Sequence, residues 1–162
     1  PPRSTLFPYT TLFRSYLNRL RKLNFVNTKI DAVVIQLSTN DARFGYEIGE
    51  MSQSFDLESF DTETTLGAIE YIIKYVHTKW HCPIIFYTCI RENDLTYKQL
   101  VNHLYPLKTK WDIHIIDIFN NDEINKLAKS DKEMMVDDSH PTKKGYRYLY
   151  TPILVKQLDE IL

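Results

Sequence analysis

Asp31-Ala32-Val33-Val34-Ile35-Gln36-Leu37, followed by Ser38-Thr39-Asn40-Asp41, is the stretch whose reading decides the fold. Three β-branched residues in succession within an apolar run form the pattern of a strand buried on both faces, as in a parallel sheet. The four residues after it are turn formers, so the chain is expected to leave the sheet there.

Strand and helix patterns alternate on either side of this stretch. Upstream, Leu17, Leu20 and Leu23 stand three apart among Arg19, Arg21 and Lys22, the pattern of the last turns of an amphipathic helix. Downstream, Ala42 to Phe60 is polar, holds Gly45 and Gly49 and shows neither period, which predicts a long loop of the kind that shapes a binding site. Asp61 is the expected N-cap of a helix over 62–80, with Leu66, Ile69, Ile73, Val76 and Trp80 on one face. Pro83 to Ile90 reads as a second buried strand. Thr96 to Lys110 reads as a helix that Pro106 should kink or end early. Ile113 to Phe119 is a third strand, Asn121 to Lys129 a short helix, and Pro141 to Leu162 a last helix begun by proline and open to a break at Pro152. The alternation predicts right-handed βαβ units: an α/β fold with a three-layer, flavodoxin-like parallel sheet and helices on both faces. Three strands are fewer than such a fold normally has.

Composition narrows the function classes. The chain has 162 residues, 43 % hydrophobic, enough for one domain with a real core. Its 20 basic and 21 acidic residues are spread evenly, so no stretch can neutralise a run of phosphates and nucleic acid is not an expected partner. No apolar run reaches the roughly 18 residues of a membrane span. A strand between Cys82 and Cys89 would hold their Cα atoms roughly 20 Å apart, which leaves two buried thiols rather than a disulfide. His81, His103 and His114 fall on separate elements without metal-ligand spacing, and no metal or organic cofactor is implied.

Ligands bind parallel α/β sheets at the carboxyl ends of the strands. Two polar clusters are expected on that rim: Ser38 to Asp41, and Asp137-Asp138-Ser139-His140-Pro141 before the last helix. Three residues apart on a tight turn, the Asp137 carboxylate can reach Nδ1 of His140, fix its tautomer and leave Nε2 to take a proton from a hydroxyl. The Asn40 amide can donate to a developing oxyanion. Each signal alone has a plain structural reading, since DxxH turns arise by chance and an Asn after a strand is commonly just a turn residue. Asp41 and Asp138 read as solvated turn carboxylates, Lys143 and Lys144 as solvated surface. Tyr146, Tyr148 and Tyr150 could line an acyl pocket or pack on the sheet with hydroxyls at the surface.

Taken together, a hydrophobic strand ending in STND and a late DDSHPTKKGY resemble the third and fifth conserved blocks of the SGNH/GDSL hydrolases. The resemblance spans nearly all of Tyr16 to Leu162. It implies an ester hydrolase fold in which Asn40 belongs to the oxyanion hole, Asp137 and His140 are the acid and base of a Ser-His-Asp triad, and a small-molecule acyl ester is the substrate. Ser38 stands where the family usually has Gly. The first block, which carries Gly-Asp-Ser and the nucleophile, and the second, with an oxyanion Gly, should both lie upstream of the first helix. That place is taken by Thr5 to Ser15, TLFPYTTLFRS, which resembles the translation of a widely used sequencing-library adapter.

The implied reading is a chimeric frame: residues 1–15 adapter-derived, residues 16–162 a partial hydrolase domain without its nucleophile, and the surviving first strand left with an open apolar edge. Neither Ser4 nor Ser15 follows Gly-Asp, so neither is assigned as nucleophile. The rival readings are a genuine strand-turn-strand opening for the first residues and, for the whole, a non-catalytic flavodoxin-like binding domain. Resequencing unligated genomic DNA upstream of the Tyr16 codon is expected to reveal a strand ending in Gly-Asp-Ser; a native frame that encodes Thr5 to Ser15 with no such block upstream would sink the catalytic reading.

Overall fold

The computed structural model describes residues 12–22, 29–91 and 94–162. Residues 1–11 of the adapter-like segment, and Leu23 and Phe25 of the first expected helix, lie outside them. Three parallel strands, β1 (Val33–Gln36), β2 (Ile84–Tyr87) and β3 (His114–Ile116), lie in the order β1-β2-β3, with Val33 opposite Ile84 and Ile85 opposite His114. The α/β architecture expected from the sequence is the one observed.

Alternation along β2 divides the core in two. Ile84 and Phe86 face one side, where α1 (Leu12–Lys22), α3 (Thr65–Lys79) and α4 (Leu95–Trp111) bring Leu17, Ile69, Ile73, Leu100 and Leu104. Ile85 faces the other, with α5 (Asp122–Ser130) and α7 (Thr151–Ile161) supplying Ala128, Leu158 and Ile161 around Ile116, Leu149 and Tyr150. Ile84, Ile85 and Phe86 are completely buried, and each such side chain contributes about 1.5–3 kcal/mol of hydrophobic stabilisation. β1 lies at the sheet edge, the open apolar edge expected of the surviving first strand, and an apolar groove lined by Leu20, Val33, Val34, Ile35 and Ile72 runs beside it. It is not buried on both faces, since Val34 is 44 % exposed.

Local chemistry corrects several expected boundaries. Thr64, not Asp61, caps α3: its Oγ1 accepts from Gly67 N–H, while the Asp61 carbonyl accepts from both Thr64 N–H and Thr64 Oγ1. α4 begins at its Asp94 cap and continues through Pro106 to Trp111. Pro106 and Asn102 both sit on the solvent face, so water can serve the Asn102 carbonyl that proline leaves without a donor. Pro141 does not open the last helix; it pairs across an antiparallel bridge with Met135, and Thr142 caps the short α6 (Lys143–Gly145). A π-turn over Tyr146–Tyr150 then joins α6 to α7, with Thr151 N–H reaching the Tyr146 carbonyl. Pro152 therefore does not split the helix, because the ladder widens just before the residue that cannot donate. Lys144 is not free surface either. It pairs with Asp131 and Glu133 at 2.7 and 2.8 Å, and these two carboxylates hold its pKa above the ordinary lysine value.

The long polar segment after Arg43 is mostly irregular, with one 3-10 turn at Leu57–Ser59, and Lys110 holds it down. The ammonium lies 2.6 Å from each of Glu70 Oε1, Ser52 O and Ser54 O, with the rings of Phe55, Phe60 and Trp111 around it at 5.0–5.5 Å. Glu70 is fully buried and also accepts from Trp111 Nε1 and Ser52 N–H. Lys110→Met strands that carboxylate, and urea denaturation is expected to show a loss of about 3–5 kcal/mol, largely recovered in the Glu70→Leu/Lys110→Met double variant. Equal losses in the single and the double variant would disprove this account of the clasp.

Candidate active site

The C-terminal ends of β1 and β2 determine where the polar residues meet. After β1 the chain does not simply turn. Ser38 takes an extended conformation (φ −67°, ψ 118°) and its Oγ accepts from Asp41 N–H, capping α2 (Thr39–Arg43). The serine therefore supplies a helix cap, and Asn40 is presented from the first turn of α2. Asn40 is exposed, and among the described residues its side-chain amide has no hydrogen-bond partner. Asp41 is not the solvated carboxylate expected. It is 2 % exposed and its Oδ2 accepts from Phe13 N–H at 3.3 Å, tying α1 to the rim.

Asp137 and His140 sit at the tip of a narrow hairpin. Its stem is made by the Met135–Pro141 bridge, Val136 N–H to His140 O at 2.7 Å and Thr142 N–H to Met134 O at 2.9 Å. Thr142 Oγ1 adds bonds to the Glu133 and Met134 carbonyls, and Lys144 anchors the segment through Asp131 and Glu133. Gly145 closes the stem from below: a Cβ there would lie 2.0 Å from the Met134 carbonyl, so only glycine permits the approach. At the tip, His140 Nδ1 lies 2.9 Å from Asp137 Oδ1 and 2.8 Å from Oδ2. The backbone N–H groups of Ser139 and His140 donate to the same carboxylate at 2.9 and 2.8 Å. Together these donors, Ser139 N–H first and the His140 ring next, hold the Asp137 carboxyl well below the usual carboxylate range. His140 Nε2 has no partner among the described residues. Asp138, by contrast, is mostly solvated, with Arg91 Nη1 at 3.7 Å.

One cleft of about 280 Å³ brings the two clusters together, with Ser38, Thr39 and Asn40 on one wall and Ser139, His140 and Pro141 on the other. Its floor was not anticipated from the sequence. Gln36 and Tyr87, register partners at the ends of β1 and β2, are joined by a 3.0 Å bond from Tyr87 OH to Gln36 Oε1. Cys89 lies beside them, its N–H bonded to Tyr97 OH, which in turn donates to Leu37 O. Tyr150 is 2 % exposed and its hydroxyl accepts from Ile90 N–H, so this hydroxyl is buried in the floor and not at the surface. Burial pushes the Cys89 thiol up to about 11 and the Tyr87 phenol up to about 12. The floor is therefore polar and uncharged at neutral pH, and Cys89 is not a thiolate nucleophile. Gln36 was the available sequence signal: it is the one polar side chain in β1, at the end nearest the rim. His81, His103 and His114 stand apart, after α3, on α4 and on β3.

No protein-family model matches the sequence, and no curated protein sequence matches it. Solved structures do. One from Lactobacillus plantarum superposes with a TM-score of 0.70 at 14 % identity, over 90 % of this chain and 73 % of its own. A GDSL-like lipase from Bacteroides ovatus superposes at 0.60 and 16 % identity, over 90 % of this chain and 59 % of its own. The fold is shared with GDSL-like lipases. A member of the lipolytic G-D-S-L family from Veillonella parvula gives 0.57 and 16 % identity over 90 % of this chain and 70 % of its own. At these identities the likeness is one of fold, and it includes the three-stranded parallel sheet that supports the cleft.

The carboxylate's environment has a measurable consequence. In a 13C titration Asp137 Cγ is expected to stay ionised down through the ordinary carboxylate range, and His140→Ala to move its midpoint upward without restoring the free-carboxylate value, because two backbone donors remain. The depressed pKa makes the turn's contribution to stability present above the unfolded-state pKa and lost as pH falls through the folded one. A midpoint that does not respond to His140→Ala would rule out the contact.

Proposed function

We propose that the chain is the acid-base half of a serine ester hydrolase of the SGNH/GDSL type. The reading rests on one observation above all: His140, with both Asp137 oxygens on Nδ1, lines the same cleft as the amide of Asn40, and neither Nε2 nor that amide has a partner among the described residues. In this reading Nε2 takes the proton of an attacking serine hydroxyl and later returns it to the leaving alcohol. Asp137 keeps the ring in the required tautomer and stabilises the imidazolium, and Asn40 is among the donors to the tetrahedral oxyanion. The shared fold with a GDSL-like lipase supports the same assignment.

The nucleophile, in this proposal, is not in the chain. Of the serine hydroxyls lining the cleft among the described residues, Ser38 Oγ is committed to Asp41 N–H, and Ser139 Oγ lies 3.3 Å from Asp137 Oδ1 and 3.4 Å from Nδ1, the wrong side of the imidazole. The open edge of β1 supports a missing neighbour. Val33 and Leu37 N–H point to β2, so by alternation Val34 and Gln36 direct their N–H groups away from the sheet. A parallel strand laid there would end beside the cleft.

Joined to the native upstream segment, the chain is expected to hydrolyse short-chain p-nitrophenyl esters, while alone it should not exceed background. In the completed enzyme His140→Ala should lower kcat by on the order of 10⁴–10⁶ and Asn40→Ala by about 10²–10³. A completed enzyme indifferent to His140→Ala would refute the proposal.

A further inference from the structure

We infer that the cleft takes an ester of a neutral, hydroxyl-rich alcohol, a sugar or polyol, with a short acyl group rather than a long-chain or anionic ester. This rests on the ester-hydrolase reading of the same cleft and adds the substrate class. Three properties of the walls carry it.

The first is polarity. Thr39, Asn40 and Tyr146 line the space with hydroxyls and an amide, Gln36 and Tyr87 form a bonded polar pair on its floor, and Pro141 is the one wholly apolar side chain lining it among the described residues. A hydrocarbon tail placed there would cover polar groups without pairing them, at about 1–3 kcal/mol for each group left unsatisfied. The neighbouring apolar groove beside β1 meets the cleft at Tyr16 and Gln36, and in this reading the missing upstream strand occupies it. Its floor is a strand edge whose outward N–H groups require an acceptor, which a strand has and an alkyl chain lacks.

The second is charge. No Lys or Arg lines the cleft among the described residues, and the floor phenols and thiol stay neutral because burial raises their pKa values. Among the described residues a phosphate or carboxylate beside the ester would find no cation except a protonated His140, the form that cannot act as general base. The third is an open aromatic face. Tyr146 is 52 % exposed, and its ring packs against Tyr150 at 5.5 Å, so one ring is held at the mouth where the C–H face of a sugar can lie on it while its hydroxyl groups reach the amides. The cleft volume, about 280 Å³, lies at the small end of ligand pockets and matches a monosaccharide ester better than an extended acyl chain.

Because the chain lacks its nucleophile in this reading, an intact ester can be titrated without turnover. The chain labelled with 13C at histidine Cε1 has five histidine signals, and His140→Gln identifies the relevant one. A mono-O-acetylated methyl glycoside is expected to shift the His140 signal saturably, in the millimolar range. Tyr146→Ala, at an exposed position, should weaken that binding by about five-fold, the equivalent of one ordinary polar or ring contact. Methyl octanoate and acetyl phosphate should bind at least ten-fold more weakly. The inference is overturned if either of those binds as well as the glycoside, if Tyr146→Ala has no effect, or if none of the three shifts His140. The ring 15N signals of His140 in Asp137→Asn separate this from the underlying reading: an unchanged Nδ1 signal would defeat the acid-base pair whatever the sugar does.

Discussion

Leu37 N–H bonds to the Tyr87 carbonyl at 2.8 Å, the last rung of the ladder between β1 and β2, and the place where that ladder stops decides where chemistry can gather. Past that rung each strand hands over to polar chain. β1 runs into the Ser38 cap of α2, β2 into Thr88 and Cys89, and β3 into Asp117, which accepts from Thr88 Oγ1 at 2.9 Å. Parallel register makes these ends coincide in space, since Gln36 is opposite Tyr87 and Tyr87 opposite Ile116. An antiparallel sheet of the same residues would scatter them over two rims. The cleft is thus a consequence of strand direction before it is a consequence of any side chain.

What the sheet cannot supply is a rigid support for Asp137 and His140, which are separated from β3 by α5. The hairpin stem provides it through short-range bonds that need particular residues: Thr142 for its hydroxyl, Gly145 for its missing Cβ, Lys144 for a reach that spans two carboxylates. Surface ion pairs contribute little to global stability, and Lys144 is no exception. Its effect is local, restricting a turn whose side chains are half exposed and which would otherwise pay the ordering entropy itself.

The sequence revealed those features that depend on period and local turn chemistry. The apolar runs before Ser38 and Ile90 had the composition of parallel strands, and the Asp137–His140 spacing specified a contact that the turn makes at 2.8 Å. Local sequence is silent where a residue distant in the chain decides the outcome. Pro106 alone predicts a kink or an early end, and nothing in the sequence shows that its lost bond faces water. A β-branched run alone reads as buried on both faces, and Val34 is instead 44 % exposed; the absent upstream block, not the run itself, is what marks β1 as the edge. Asp41 was read as solvated because nothing nearby in sequence shows that Phe13 N–H, 28 positions away, is its partner. The floor of the cleft was missed for the same reason: Gln36, Tyr87, Cys89 and Tyr150 become one network only when the strands are laid side by side.

The neutrality of that network bears on the proposed proton transfer as well as on the proposed substrate class. A thiol beside a histidine would ordinarily compete with a serine as nucleophile, and a thiolate would also repel an oxyanion forming nearby. Burial at 2 % exposure raises the Cys89 pKa to about 11, although contacts from Tyr97, Gln36 and Tyr150 pull the other way. The thiol therefore stays protonated over the range in which a His140 base would work. The paired carboxylate of Asp137 is then left as the permanent charge in contact with the imidazole. Among the described residues Asp137 is thus the single charged group in contact with the ring, above an uncharged floor.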